Sequence, residues 1–193
     1  KRQLGEQPTQ DEIDTLKKFN GFAPAGSLFL NHMAPLTWKE YERPLHPIIE
    51  DILTEVNSIA GNEQTYAELY ASLRQSTATS YYTPEHVSDA IADFVLDYVK
   101  KHQKKDTLTI LEPSAGSGRF VEALLSKKDG FKSIQIDGIE KDALTYQVLH
   151  ALYNGNASVN TIHSGYENAS EKLRSEYDVI ISNIPFGSFN VYD

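Results

Sequence analysis

Three short stretches of this 193-residue chain carry side chains suited to chemistry. The first is Glu112-Pro113-Ser114-Ala115-Gly116-Ser117-Gly118. Small residues and two glycines let a backbone turn sharply and come within contact distance of a ligand. The carboxylate ahead of the turn repels phosphate and welcomes an ammonium group. Gly116 and Gly118 begin a Gly-x-Gly-x-x-Gly pattern, but Val121 stands where the third glycine belongs, which disfavours a nicotinamide dinucleotide. The second stretch is Gly138-Ile139-Glu140, with Lys141 and Asp142 behind it. Glu140 lies 24 positions after Gly116, near the spacing at which an acidic residue meets ribose hydroxyls. Asp142 reads as favourable charge at a helix N-terminus. The third is Asn183-Ile184-Pro185-Phe186, delivered by the apolar run Asp178–Ser182, which reads as a buried strand. Alone, that quartet reads as a strand-to-loop turn with a buried Phe. Behind two ligand-like turns, it reads as the edge of an active site.

These residues need elements that bring them to one place. From residue 107 the chain alternates apolar runs of strand type with helical patterns. "TLTILEP", "SIQIDGIE", "SVNTIHS" and "YDVIIS" read as strands. "SGRFVEALLSKK" and "DALTYQVLHALYNG" read as helices, and "YENASEKLRSE" as a poor helix or loop. Such alternation predicts βαβ units and a mostly parallel sheet. Its loops then gather at one edge, where open α/β sheets bind ligands. The third strand leads into His163-Ser164-Gly165-Tyr166-Glu167, where a polar group could read an adenine. His163 reads as structural or surface-facing, and Glu167 remains a candidate. Ahead of the first strand, Tyr81-Tyr82-Thr83-Pro84 precedes a helix from His86 to Lys101, with Thr83 expected as its N-cap and Pro84 in its first turn.

The first part, 1–78, reads as a helical region. "TQDEIDTLKKF" opens with Thr9 and Glu12 in capping-box spacing. A Gly/Pro-rich connector from Asn20 to Pro35 follows, with Phe19, Phe22 and Phe29 as anchoring aromatics. Ile48, Ile49, Ile52, Leu53, Val56 and Ile59 are expected to mark one apolar face of a helix that stops at Gly61. A second helix is expected from about Glu63 to Arg74.

Composition narrows the function classes. The net charge is −9 and the pI near 5.1, which argues against a self-sufficient nucleic-acid clamp. Lys100-Lys101-His102-Gln103-Lys104-Lys105, the longest basic cluster, reads as a solvated helix end. With no cysteine, there are no disulfides or thiolate metal sites, and no metal site is expected. No apolar run approaches the roughly 20 residues of a membrane span. The N-terminus is polar, and a cytoplasmic location is the expectation.

Together "YYTP" (81–84), "LEPSAGSGRF" (111–120), Glu140 and "SNIPFG" (182–187) resemble the amino-adenine DNA methyltransferases that use S-adenosylmethionine, in the gamma motif order. "PTQDEIDTLKKFNGFA" and "NIPFGSFNVYD" resemble the large methylase–helicase proteins of plasmids, phages and conjugative elements. The resemblance implies a Rossmann-like class I methyltransferase sheet, partial at about four strands, in residues 79–193. Ahead of it stands the helical extension. It implies that Asn183 and the main-chain carbonyl of Ile184 accept the amine hydrogens of a flipped adenine, with Pro185 and Phe186 completing the motif and Phe186 stacking on the base. Ile184 occupies a position where the family often has proline. The resemblance further implies a cofactor site of Tyr82, Thr83, Pro84, Glu112, Pro113, Ser114, Ala115, Gly116, Gly118, Phe120, Glu140 and Glu167. For Phe120, core packing is the alternative. The chain is expected to be a fragment, reaching double-stranded DNA through the full-length protein. The other half of the sheet, the target-recognition region and a possible helicase region would lie elsewhere. Rival readings are a non-catalytic module of a helicase-like machine and a methyltransferase acting on RNA or protein glutamine.

Overall fold

The computed structural model describes residues 7–21, 25, 28–29, 31–79 and 82–184, with backbone alone at 74–79. Among them are six α-helices: α1 (Gln10–Leu16), α2 (His46–Ala60), α3 (Glu63–Thr79), α4 (Glu85–His102), α5 (Arg119–Ser126) and α6 (Ala143–Tyr153). Four strands, β1 (Thr107–Glu112), β2 (Ser133–Glu140), β3 (Val159–His163) and β4 (Val179–Ile180), form one parallel sheet in the order β3-β2-β1-β4. The architecture is the expected Rossmann-like α/β one.

Side chains alternate across each strand, so each sheet face gathers its own core. On one face, Leu108 and Ile110 of β1 and Ile134 and Ile136 of β2 meet Ala92, Leu96 and Val99 of α4, Val121 and Leu124 of α5, and Leu149 of α6. On the other, Leu111, Ile139 and Ile162 are covered by Ala169, Leu173 and Tyr177. That second cover comes from the segment expected as a poor helix or loop. It folds as two short 3₁₀ turns, Tyr166–Asn168 and Ser170–Lys172.

This thin cover is fastened by a polar cluster. Asp137, in the middle of β2 and 2 % exposed, faces it. Tyr177 Oη donates to Asp137 Oδ2 at 2.7 Å, Arg174 Nε donates to the same oxygen at 3.0 Å, and Asn160 Nδ2 donates to Oδ1 at 3.2 Å. A buried carboxylate is tolerable only when paired and hydrogen-bonded in this way.

β4 departs from expectation. The buried strand over Asp178–Ser182 is a two-residue edge strand, extended by one bond from Ile181 N–H to Leu111 O at 3.0 Å. Val179 and Ile181 pack into the helix-covered core, whereas Ile180 points to the thinly covered face and is 65 % exposed. Asp178 fixes the register. Its carboxylate takes the Thr109 N–H at 2.9 Å and pairs with Lys105, which holds it below the usual carboxylate range.

The N-terminal helices gather around Phe29, Trp38, Ile49, Leu53, Val56 and Leu73. The capping box forms as expected: Glu12 accepts from the Thr9 N–H at 2.7 Å and from its hydroxyl at 2.6 Å. α2 stops at Gly61, whose φ of +71° suits glycine. Ile48 and Ile59 are exposed instead of joining the apolar face. At 3.6 residues per turn they fall roughly 100° round from the centre of the buried stripe. α3 runs five residues past its expected end. Its Ser72 and Leu73 are buried, and Leu144 of α6 joins this second core, so the helical layer rests on α6.

Tyr177→Phe removes a donor to a buried carboxylate. It is expected to destabilise the protein by about 1.5–3 kcal/mol, seen as a lower urea midpoint with an unchanged slope.

Candidate functional site

The strand order creates the site. The chain builds β1, β2 and β3 outward in one direction, then returns to lay β4 against the other side of β1. The carboxyl ends of β1 and β4 lie side by side where the strand order reverses, the position open α/β sheets use for ligands. Glu112 ends β1, and Ser182 and Asn183 follow β4.

The turn after β1 is tied down at both ends. Ala115 N–H donates to Ile139 O at 2.8 Å, and Gly118 N–H to Ala115 O at 2.9 Å. Its two glycines do different work. Gly118, at φ +90°, lies against α6: a Cβ there would sit 2.5 Å from the Tyr153 ring and 3.0 Å from Leu149. Tyr153 Oη also donates to the Gly118 carbonyl at 3.1 Å. Gly116, at φ +56°, faces Tyr82, whose ring would be 3.3 Å from a Cβ. Tyr82 is in turn edge-on to Phe19, with ring centres 6.1 Å apart. Tyr82 thus walls the glycine turn.

Glu140 bridges the first two loops. Its Oε2 accepts from Gly116 N–H at 2.8 Å, and its Oε1 from Asp142 N–H at 2.7 Å. Burial raises its pKa, and the two backbone donors oppose the rise. Asp142 is the N-cap of α6, accepting from Thr145 N–H at 2.8 Å, as its charge suggested. It also accepts from Ser72 Oγ of α3, while Ser72 accepts from Leu144 N–H at 2.9 Å. Nothing in the sequence around Ser72 singles it out beyond a small polar residue beside Leu73 on an apolar stripe.

Glu112 is 1 % exposed. Burial pushes its carboxyl up to about 8, against weaker opposing contacts from the Ser182 hydroxyl and the Ser114 N–H. Oε1 has only the 3.3 Å bond from Ser114 N–H. Oε2 and the Ser182 hydroxyl are buried without a well-formed hydrogen bond. A buried acceptor left open at the mouth of a glycine turn suits a cationic donor, an ammonium group above all. Ser182 was passed over in the sequence; its signal is its place at the end of β4, opposite the end of β1.

Asn183 and Thr83 meet. Asn183 Nδ2 donates to Thr83 Oγ1 at 3.1 Å across 100 positions of chain. Thr83 is therefore not the N-cap of α4. Pro84 holds that position at φ −57°, and no side chain caps the helix. The helix begins at Glu85, one residue beyond the proline, so the cap position falls on Pro84.

Other expected residues stand apart. Phe120 belongs to the hydrophobic core, so the packing alternative holds for it. Glu167 is exposed and paired with Lys141 at 3.0 Å; its own N–H and then that ammonium keep its carboxyl below the usual range. His163 is exposed and stacked on Tyr146, ring centres 4.6 Å apart, in line with its surface reading. Pro185 and Phe186 lie outside the described residues. Pro113, Ser114 and Ala115 form the turn itself, and Ile184 is largely exposed.

Gly118→Ala is expected to cost about 2–4 kcal/mol, from the left-handed backbone and the collision with Tyr153. Thermal unfolding would show it as a lowered Tm without any ligand present.

No match was found among curated proteins. Three solved structures are similar at low identity. A Listeria monocytogenes protein assigned to the class I S-adenosylmethionine-dependent methyltransferases is 16% identical over 93% of this chain and 59% of its own, with TM-score 0.45. A modification subunit assigned to a type I restriction enzyme of Vibrio vulnificus YJ016 is 16% identical over 75% of this chain and 33% of its own, with TM-score 0.43. Coclaurine N-methyltransferase bound to N-methylheliamine and SAH is 12% identical over 89% and 53%, with TM-score 0.35. The chain thus spans about three fifths and one third of the length of the first two. The N-6 DNA Methylase family model matches residues 63–192, which takes in α3, the glycine turn, Glu140 and Asn183. This chain belongs to the N-6 DNA methylase family.

Proposed function

We propose that this chain carries the cofactor site and catalytic edge of a DNA adenine-N6 methyltransferase that uses S-adenosylmethionine, serving restriction–modification or protection of a mobile element. The observation that carries the reading is the meeting of Ser182-Asn183 with Glu112 and Thr83 at the switch point of the sheet. Family membership favours DNA over RNA or protein glutamine as the methyl acceptor.

S-adenosylmethionine supplies, when bound, a methyl group activated by a sulfonium. The residues present fit it. Glu112 offers its open carboxylate oxygen to the ammonium of the methionine portion. Glu140, fixed by Gly116 and Asp142, keeps lone pairs for ribose hydroxyls, since a carboxylate offers about four acceptor sites. Tyr82 and the turn from Pro113 to Gly118 wall the space between. The exocyclic nitrogen of adenine is a poor nucleophile because its lone pair is delocalised into the ring. Asn183 Oδ1 and the Ile184 carbonyl accept its two hydrogens out of the ring plane, which turns the lone pair outward. The same two oxygens stabilise positive charge as it builds on that nitrogen, so orientation and electrostatics replace a general base. Phe186 is the stacking partner for the extruded base. With a net charge of −9, the chain leaves the DNA backbone to be gripped by other parts of the protein.

Two experiments test this. Asn183→Ala in the intact protein should leave the S-adenosylmethionine Kd within about twofold. It should cut methyl transfer to unmethylated plasmid DNA by at least about a hundredfold. Retained transfer, read as N6-methyladenine by mass spectrometry, defeats the assignment. The second is a pH titration. Below pH 8 the empty-site Glu112 is protonated and must lose that proton to meet an ammonium. Affinity should therefore rise by about tenfold per unit between pH 6 and 7 and flatten near 8, with Glu112→Gln weaker and flat. Without ligand the sign is opposite for stability: the raised pKa makes folding less favourable as pH climbs from 4.5 to about 8.

A further inference from the structure

We propose that Thr83 is a positioning residue for Asn183, holding its carboxamide so that the oxygen faces the target amine. The inference rests on the proposed function. It starts from the short reach of β4. β4 is two residues long, Ile181 adds one bond to Leu111, and Asn183 lies two residues further on. A proline at 184 would restrict the backbone; Ile184 does not. Thr83 gives the carboxamide a hold from across the fold, 100 positions away.

Thr83 is a rigid anchor. Pro84 behind it forces extended backbone, and its branched side chain is stiff about χ1. α4, which begins at Glu85, is bolted to the sheet through Ala92, Leu96 and Val99. Its hydroxyl is not spent on the helix, because Pro84 is the N-cap and no side chain caps it. It accepts instead from Asn183 Nδ2 at 3.1 Å. An amide has one accepting and one donating branch. Committing the NH₂ branch to Thr83 directs the oxygen branch the other way. The flipped amide would turn N–H groups on an amine whose lone pair must stay free for the methyl group.

The test uses the intact protein, saturating S-adenosylmethionine and unmethylated plasmid DNA, with S-adenosylhomocysteine affinity measured by calorimetry. Thr83→Val should lower kcat at saturating cofactor about 3- to 30-fold, a larger change than any weakening of the S-adenosylhomocysteine Kd, since Thr83 also borders the proposed cofactor site. Thr83→Ser should recover most of the loss. Adding Ile184→Pro to Thr83→Val should recover part of it, because the ring restores the stiffness that the hydrogen bond provided. Thr83→Ala serves as the second variant if valine prevents folding. Wild-type kcat in Thr83→Val, a weaker Kd at unchanged kcat, or a serine variant as slow as valine would each overturn the positioning role. Asn183→Ala separates the two levels. If it transfers methyl groups at the wild-type rate, the proposed function itself fails. If it is inactive while Thr83→Val turns over normally, only the role of Thr83 fails.

Discussion

Glu140 is the joint on which the rest of the site turns. One oxygen takes the N–H of Gly116 and the other the N–H of Asp142. The glycine turn, the end of β2 and the start of α6 are thereby set relative to one another by a single carboxylate. Two charge-assisted bonds from backbone hold it more stiffly than side-chain partners could, because the donors belong to a sheet edge and a helix start. Any ligand in the crevice meets a surface whose geometry is already decided.

Glu112 is the counterpart, a group the fold tolerates without satisfying. A buried carboxyl with one weak bond and one open oxygen runs against the stability of the empty protein. A local choice that conflicts with folding is a mark of function. Asp137 shows what a buried carboxyl group looks like when structure alone decides. It is equally buried, and Tyr177, Arg174 and Asn160 saturate it.

Much of this was legible in the sequence where the signal was periodic or spaced. The strand–helix rhythm from Thr107 to His163 predicted the sheet, whereas the spacing from Gly116 to Glu140 suggested a ribose contact and said nothing of the hydrogen bond between the two. Less was legible where the outcome depends on what lies beyond a residue's neighbours. The apolar run before Asn183 cannot say that Ile180 lies bare on the thinly covered face, because it looks the same covered or bare. Thr83 has the chemistry of a helix cap, but α4 starts one residue too late for it and its hydroxyl meets a residue 100 positions away. Phe120 follows a glycine turn as a cofactor wall would, yet the amphipathic face of α5 draws it into the core. Ser72 has no local signature, since its partners Asp142 and Leu144 come together only when α3 docks.

That docking has a mechanical consequence. α3 cannot lift from α6 without uncovering Leu144 and stripping Ser72 from Asp142, the residue whose amide steadies Glu140. Breathing of the helical layer and looseness of Glu140 are thus one motion with two ends. By reciprocity, whatever tightens the crevice also slows amide exchange in α3, some distance from anything it touches.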